Sequence, residues 1–275
     1  MPECSGIVTV SSGYIKMIQK RYRTLACPPW LTLPFGALPH DFRIAAALPN
    51  SRTNLDATDI LYVGRGGSDM SLAVGALFTA FSSGLKSHPE LFSRVHFTFI
   101  GTSYAASGKG IKTIEPLAEQ IGIGSYVTEQ TDRLPYFHCL KRLQEADLLF
   151  MPGSTDSSYT ASKLFPYIKA RREILAVFNE ESSVVNILKT THAGNVVTFR
   201  SNDTVAAVGE RLKPVLTELL RKLPIKPETD WEAFEPFTAR EMTRQQCEFF
   251  SSVIEGTPRP PSPHAPDPPS PRPGE

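Results

Sequence analysis

Cysteine is scarce and scattered in this sequence. Cys4, Cys27, Cys139 and Cys247 form no C-x-x-C pair, which argues against a zinc ribbon or a disulfide framework and favours a reducing, cytosolic setting. Net charge is almost absent as well. Lys and Arg total 29 against 28 Asp and Glu, a formal +1, so no global field draws the chain to nucleic acid or anionic lipid, and any anion must be held locally. Nothing approaches the roughly 18 uninterrupted apolar residues that a membrane helix requires, and Met1 to Gly6 lacks the basic-then-apolar pattern of an export signal. Several catalytic signatures are missing too. There is no Asp-x-Asp pair and no G-x-S-x-G, and His40, His88, His96, His138, His192 and His264 lack the i, i+4 spacing of a helical metal site. No metal site is expected, so bound phosphates would be neutralised by the chain's own cations.

What the 275 residues do contain is ample apolar material, 41% of the total, in a recurring rhythm. Near-continuous apolar runs of strand length stand at Ile60–Val63, Val95–Ile100, Leu148–Met151, Ile174–Phe178 and Val196–Phe199, with a weaker run near Tyr126–Thr128. Helical patterns fill the gaps at Met70 to Leu85, Ile114 to Ile121, Tyr136 to Glu145, Thr160 to Ala170 and Ser182 to Lys189. Strands apolar on both faces suit a buried parallel sheet, and the alternation predicts an α/β, doubly wound, Rossmann-like domain over 59–200 with ligands at the carboxyl ends of its strands. Residues 1–58 read as a strand (Gly6 to Val10), a helix (Ser11 to Arg23) and a Pro-rich irregular stretch, like the end of something else. Two further helices are expected over 201–256, Thr204 to Leu223 with Pro214 as a kink and Ala239 to Ile254. The Pro-rich tail, 257–275, carries too little apolar surface for a core and is expected to be disordered.

Two polar stretches stand where such a sheet places ligands. Gly64-Arg-Gly-Gly-Ser-Asp69 follows the first strong strand and precedes a helix. Its glycines Gly64, Gly66 and Gly67 would let amides turn toward a phosphate, with Arg65 supplying full charge; a tight turn that binds nothing explains the same residues. Asp69 stands in the third glycine place of G-x-G-x-x-G, and Gly101 ends the second strand instead of an acid, so nicotinamide binding is disfavoured. The Gly108-Lys109 pair has the wrong spacing for a P-loop and reads as a loop. The second stretch, Pro152-Gly-Ser-Thr-Asp-Ser-Ser-Tyr-Thr-Ala-Ser-Lys163, offers another anion cradle from Gly153, Ser154 and the amides near Thr160 to Ser162, or else helix caps at Ser157, Ser158 or Thr160.

Taken in order, Tyr62-Val-Gly-Arg-Gly-Gly67, Phe99-Ile-Gly-Thr102, Ala146-Asp-Leu-Leu149, Gly153-Ser154, Tyr159-Thr-Ala-Ser-Lys-Leu-Phe165 and Ile174-Leu-Ala-Val177 resemble the C-terminal, donor-binding domain of family 4 glycosyltransferases. Ile7-Val-Thr-Val-Ser-Ser12 and Leu33-Pro-Phe-Gly36 are similar to the close of that family's first domain and its linker, and Thr238 to Ile254 is similar to its closing helix. The resemblance implies a GT-B fold, a nucleotide-diphospho-sugar as substrate rather than any cofactor, retention at the anomeric carbon and no obligatory metal. It places Arg65, assisted by Lys163, on the donor diphosphate, with Gly64, Gly66, Gly67, Gly153, Ser154, Tyr159, Thr160 and Ser162 around it and Tyr136 near the nucleobase.

The chain also departs from the pattern. Pro166 replaces the glutamate that commonly holds the donor ribose, and the usual Ala-Gly-x-Pro turn reads Ala170-Arg-Arg-Glu173. Most of the family's acceptor domain has no counterpart, which points to a truncated product, a fragment or one subunit of a split enzyme. Its partner would be a separate acceptor-domain chain or a second copy of itself. A non-catalytic nucleotide-sugar-binding module remains an alternative, as does an interaction protein docking through Pro258-Arg-Pro-Pro261 and Pro260-Pro-Ser-Pro263. With no first domain to cover them, Phe234, Phe237, Met242, Phe249, Phe250 and Ile254 are expected to form an exposed apolar patch and to promote association.

Overall fold

The structure is a computed structural model that describes residues 4–22, 28–52, 55–156, 159 and 161–256. The Pro-rich tail with its P-x-x-P segments, Ser157, Ser158 and Thr160 lie outside the described residues. Contacts group the chain into two units, one of residues up to Ala37 together with those from Glu235 onward, the other Leu38–Phe234. The first begins with β1 (Ile7–Thr9), α1 (Ser12–Arg21) and β2 (Trp30–Thr32). β1 and β2 pair in parallel, Ile7 opposite Trp30.

The second unit opens with α2 (Pro39–Ala46), inside the stretch expected to be irregular. Pro39 occupies its first turn, where the missing N–H costs nothing. The sheet elements follow: β3 (Thr58–Val63), α3 (Ser71–Ser87), α4 (Pro89–Phe92), β4 (Val95–Ile100), α5 (Glu115–Ile121), β5 (Val127–Gln130), α6 (Tyr136–Glu145), β6 (Leu148–Pro152), α7 (Leu164–Lys169), β7 (Ile174–Asn179), α8 (Ser183–Thr191) and β8 (Asn195–Phe199). Then come α9 (Val205–Lys222), with Pro214 inside it, and α10 (Trp231–Phe234). α11 (Ala239–Glu255) returns to the first unit.

All six strands of the large sheet are parallel, in the order β5-β4-β3-β6-β7-β8. This is the doubly wound arrangement expected from the alternation. β6 and β7 are buried at every residue, whereas the edge strand β5 alternates buried and exposed, which is why its run was faint in the sequence. Phe78 and Phe81 of α3 meet Phe97 of β4 edge-on at 5.8 and 4.9 Å, and Phe78 meets Phe99 at 5.9 Å. α3 packs on α9 where glycines allow close approach, Gly75 against Val205 and Gly209 against Thr79. The buried Glu129 carboxylate accepts from the amides of Thr113, Ile114 and Glu115, satisfying donors that α5 leaves open at its start.

Two further expectations need correction. α7 starts at Leu164 rather than Thr160, because Ser162 and Lys163 form a turn. Pro166 falls in its first turn, so the ring removes no helical hydrogen bond there. The apolar patch is also smaller than expected. Phe234, Phe237 and Phe249 are buried, the last against Leu31 and Leu33 with Met242 packed on them; only Phe250 and Ile254 of the six are exposed, Ile254 by 85%. Among the described residues no helix is long and apolar enough to cross a membrane.

Candidate functional site at the point where strand order reverses

β3 lies at the sheet's topological switch, with β4 on one side and β6 on the other. Its ladder with β4 runs from Thr58 to Val63, whereas the ladder with β6 pairs only Ile60 with Leu148 and Leu61 with Leu149. Beyond Leu61 a side chain takes over from the strand. The buried Tyr167 hydroxyl accepts from the Val63 amide at 2.7 Å and donates to the Val63 carbonyl at 3.2 Å. The switch therefore ends in side chains rather than in paired backbone, which is the place where doubly wound sheets hold ligands.

Cations converge there. Lys163, in the turn before α7, donates to the Tyr62 hydroxyl at 3.1 Å, and that hydroxyl donates to the Arg65 carbonyl at 2.9 Å. Among the described residues Lys163 has no carboxylate partner. Burial, with the positive charges of Arg65 and Arg133 adding to it, lowers its pKa to about 8. Arg133, at the exit of β5, stacks its guanidinium on the exposed Tyr104 ring at 4.1 Å. The Tyr104 loop is pinned to the same exit, since Asp132 accepts from Ser107 Oγ at 2.6 Å and from the Gly108 amide at 2.9 Å.

Arg65 is not free. Its two terminal nitrogens donate to the two oxygens of Asp69 at 2.8 and 2.7 Å, and its guanidinium lies 5.2 Å from the centre of the Tyr159 ring. The Arg65 hydrogen bonds hold the Asp69 carboxyl down at about 2, with the Ser154 hydroxyl adding to the effect. The Asp69 carbonyl also accepts from the Thr155 amide at 2.9 Å, so one residue ties the turn after β3 to the loop after β6.

The glycines work by space more than by their amides. The Gly64 and Gly66 amides donate to the carbonyls of Ile100 and Thr102, each at 2.8 Å, and the Gly153 amide to Val177 at 2.7 Å. A side chain on Gly64 would collide with the Lys163 ammonium and the Tyr62 hydroxyl; one on Gly66 would meet Thr113, and one on Gly67 would meet Asp69. A β-carbon on Gly153 would stand 2.8 Å from the Phe178 backbone. Gly153→Ala is accordingly expected to cost about 1–3 kcal/mol by overpacking, read as a lower urea midpoint at unchanged slope. Ser154 is buried and accepts from the Asp156 amide, while Ser162 is half-buried in the turn before α7.

Tyr136 opens α6, but its hydroxyl donates to Asp41 of α2 at 2.8 Å, and burial with that bond pushes its pKa up to about 12. Its polar end is thus engaged by α2. Sequence reasoning read Asp69 only as a break in the dinucleotide pattern, took Arg133 only as the start of the Arg133-Leu-Pro-Tyr136 stretch near the nucleobase, and gave Tyr104 no role. An acid four residues after an arginine across a turn is a readable signal; the Tyr104 stack is not, because its partner is 29 residues away (133 minus 104). A cleft of about 280 Å³ opens beside Arg65, Gly66 and Gly67, with an apolar wall from Val74, Ile114 and Leu117.

At the level of sequence, no protein-family model and no curated protein matches the chain. Solved structures do. A glycosyltransferase from Rickettsia africae aligns at TM-score 0.62 and 13% identity, over 91% of this chain and 64% of its own. An α,α-trehalose 6-phosphate synthase from Burkholderia multivorans aligns at TM-score 0.63 and 11% identity, over 93% and 61%. An E. coli trehalose-6-phosphate structure bound with UDP-2-fluoro glucose aligns at TM-score 0.60 and 14% identity, over 93% and 62%. The fold is that of GT-B glycosyltransferases. Identity at this level carries the architecture alone, and the chain spans about three fifths of the length of these structures. On this glycosyltransferase fold, the cationic cluster stands at the switch point of the large sheet.

Proposed function

We propose that the chain binds a nucleotide-diphospho-sugar at the carboxyl ends of β3 and β6 and serves as the donor-binding part of a retaining glycosyltransferase. One observation carries the reading: Lys163 is half-buried at the switch point beside Arg65 and Arg133, and among the described residues no carboxylate neutralises it. Burying an ammonium uncompensated is costly, and a polyanionic ligand removes the cost. Arg65 and Lys163 would stabilise the negative charge that grows on the diphosphate as the glycosidic bond to it breaks, without a metal ion. The base and ribose would lie along the strand ends toward β4 and β5. The acceptor would be held by residues outside the sheet unit. Free thiols at Cys4, Cys139 and Cys247 agree with a reducing, cytoplasmic site of action.

Calorimetric titration with UDP-, GDP- and ADP-sugars tests the reading. Saturable binding of one of them is expected, weakened at least about tenfold in Arg65→Ala, or roughly 1.4 kcal/mol. Absence of binding to all three, or indifference to the substitution, would reject it. A second reading, donor binding without turnover, is favoured by Pro166, whose ring offers no acceptor for a ribose hydroxyl. Donor binding with no sugar transfer or donor hydrolysis would select it.

A further inference from the structure

The Arg65–Asp69 pair raises a question that donor binding alone does not answer. A guanidinium presents two parallel N–H groups to a carboxylate or to one phosphate in the same geometry. Asp69 already fills that fork with both oxygens, and its backbone is itself fastened by the Thr155 amide on its carbonyl. The backbone anchor does not involve the carboxylate, so the side chain can leave Arg65 while the two loops stay joined. The pair is about one quarter to one third exposed, 23% and 32%, so solvent and ligand reach it.

Resting on the donor-site reading, we propose that Asp69 is an internal competitor for Arg65, and that it makes the site select ligands with two adjacent phosphates over ligands with one. A single phosphate that takes the fork replaces one anion by another and leaves the Asp69 carboxylate close by, repelling it. The net gain is small. A diphosphate also reaches Lys163, which is joined to Arg65 through the Tyr62 hydroxyl, and the second contact exceeds what the displaced pair held. Asp69 stays ionised across the physiological range, so protonation does not lift the competition. Removing its charge does.

Full-length wild type, Asp69→Asn, Asp69→Ala and Arg65→Ala are titrated with inorganic pyrophosphate and with inorganic phosphate. Wild type is expected to prefer pyrophosphate. Both Asp69 variants bind the two anions more tightly, phosphate by more, so that the preference shrinks roughly tenfold. Unchanged or weaker pyrophosphate binding in both Asp69 variants, with wild type still binding and Arg65→Ala impaired, would overturn the inference alone and make Asp69 a residue that positions Arg65. Pyrophosphate binding to none of the four, or to Arg65→Ala as well as to wild type, would overturn the donor-site reading and the inference with it.

Discussion

Lys163→Met is expected to stabilise the fold and to abolish diphosphate binding in the same protein. In the folded chain the Lys163 pKa falls from 10.5 to about 8. At ~1.4 kcal/mol per unit this is on the order of 3 kcal/mol of destabilisation. The sign follows from proton counting. Between pH 8 and 10.5 the unfolded chain carries the lysine proton and the folded chain does not, so wild-type stability rises with pH across that window. Below about pH 8 the full cost is present, and there Met, of similar length and without charge, gains most. Urea unfolding at pH 7 and pH 10 should show a large advantage for the variant at the lower pH and a small one at the higher. A constant difference would place Lys163 in water. Ligand binding should display the same group: a bound diphosphate draws the proton back, so titrations above pH 8 in buffers of different ionisation heat should report proton uptake by wild type and none by Lys163→Met, which binds weakly or not at all.

That trade of stability for charge explains what could be read from the residues and what could not. The large sheet was legible because β3, β6 and β7 are apolar on nearly every residue and helices of period 3.6 separate them. β2 and α2 were not, since a three-residue strand and a helix among prolines carry little periodic signal. Arg65 and Lys163 were legible as charged residues beside glycine turns at strand ends. Their environment was hidden, because it depends on which side chains fold back to meet them: Tyr62 of β3 at Lys163, Asp69 and Tyr159 at Arg65. The glycines illustrate the limit. Their clustering suggested amides aimed at phosphate, yet Gly64 and Gly66 spend theirs on Ile100 at the end of β4 and on Thr102 just past it, and the absent β-carbons make room for Lys163 and Thr113. Arg171 shows the reverse case. It holds a left-handed backbone, φ 57, where the resembled family has glycine, and its guanidinium lies 4.8 Å from the Trp231 ring with Lys169 at 4.7 Å. Stacking offsets a backbone cost of about 1–2 kcal/mol.

At the opposite end of the same strands, Arg142→Leu is expected to be the most damaging single change, at about 3–5 kcal/mol. Arg142 of α6 donates to Asp59 at 2.9 Å with both side chains buried, and Thr98 donates to the same carboxylate at 2.7 Å. The Asp59 backbone is bound in turn to Asp147, amide to carboxylate at 2.9 Å and carbonyl to amide at 3.1 Å, which joins the amino ends of β3 and β6 where their ladder is short. Removing the arginine strands a buried carboxylate with one hydroxyl for company, and the penalty is that of an unpaired charge rather than of a lost contact. Asp59→Asn combined with Arg142→Leu removes both charges and should recover most of the loss, so the two changes are strongly non-additive. Urea unfolding of the two single variants and the double decides it. Additive effects, or a loss below about 1 kcal/mol for Arg142→Leu, would mean that the strands are held by the apolar sheet alone. Strong coupling would instead show that a charged clamp between α6 and β3 closes the foot of the switch point.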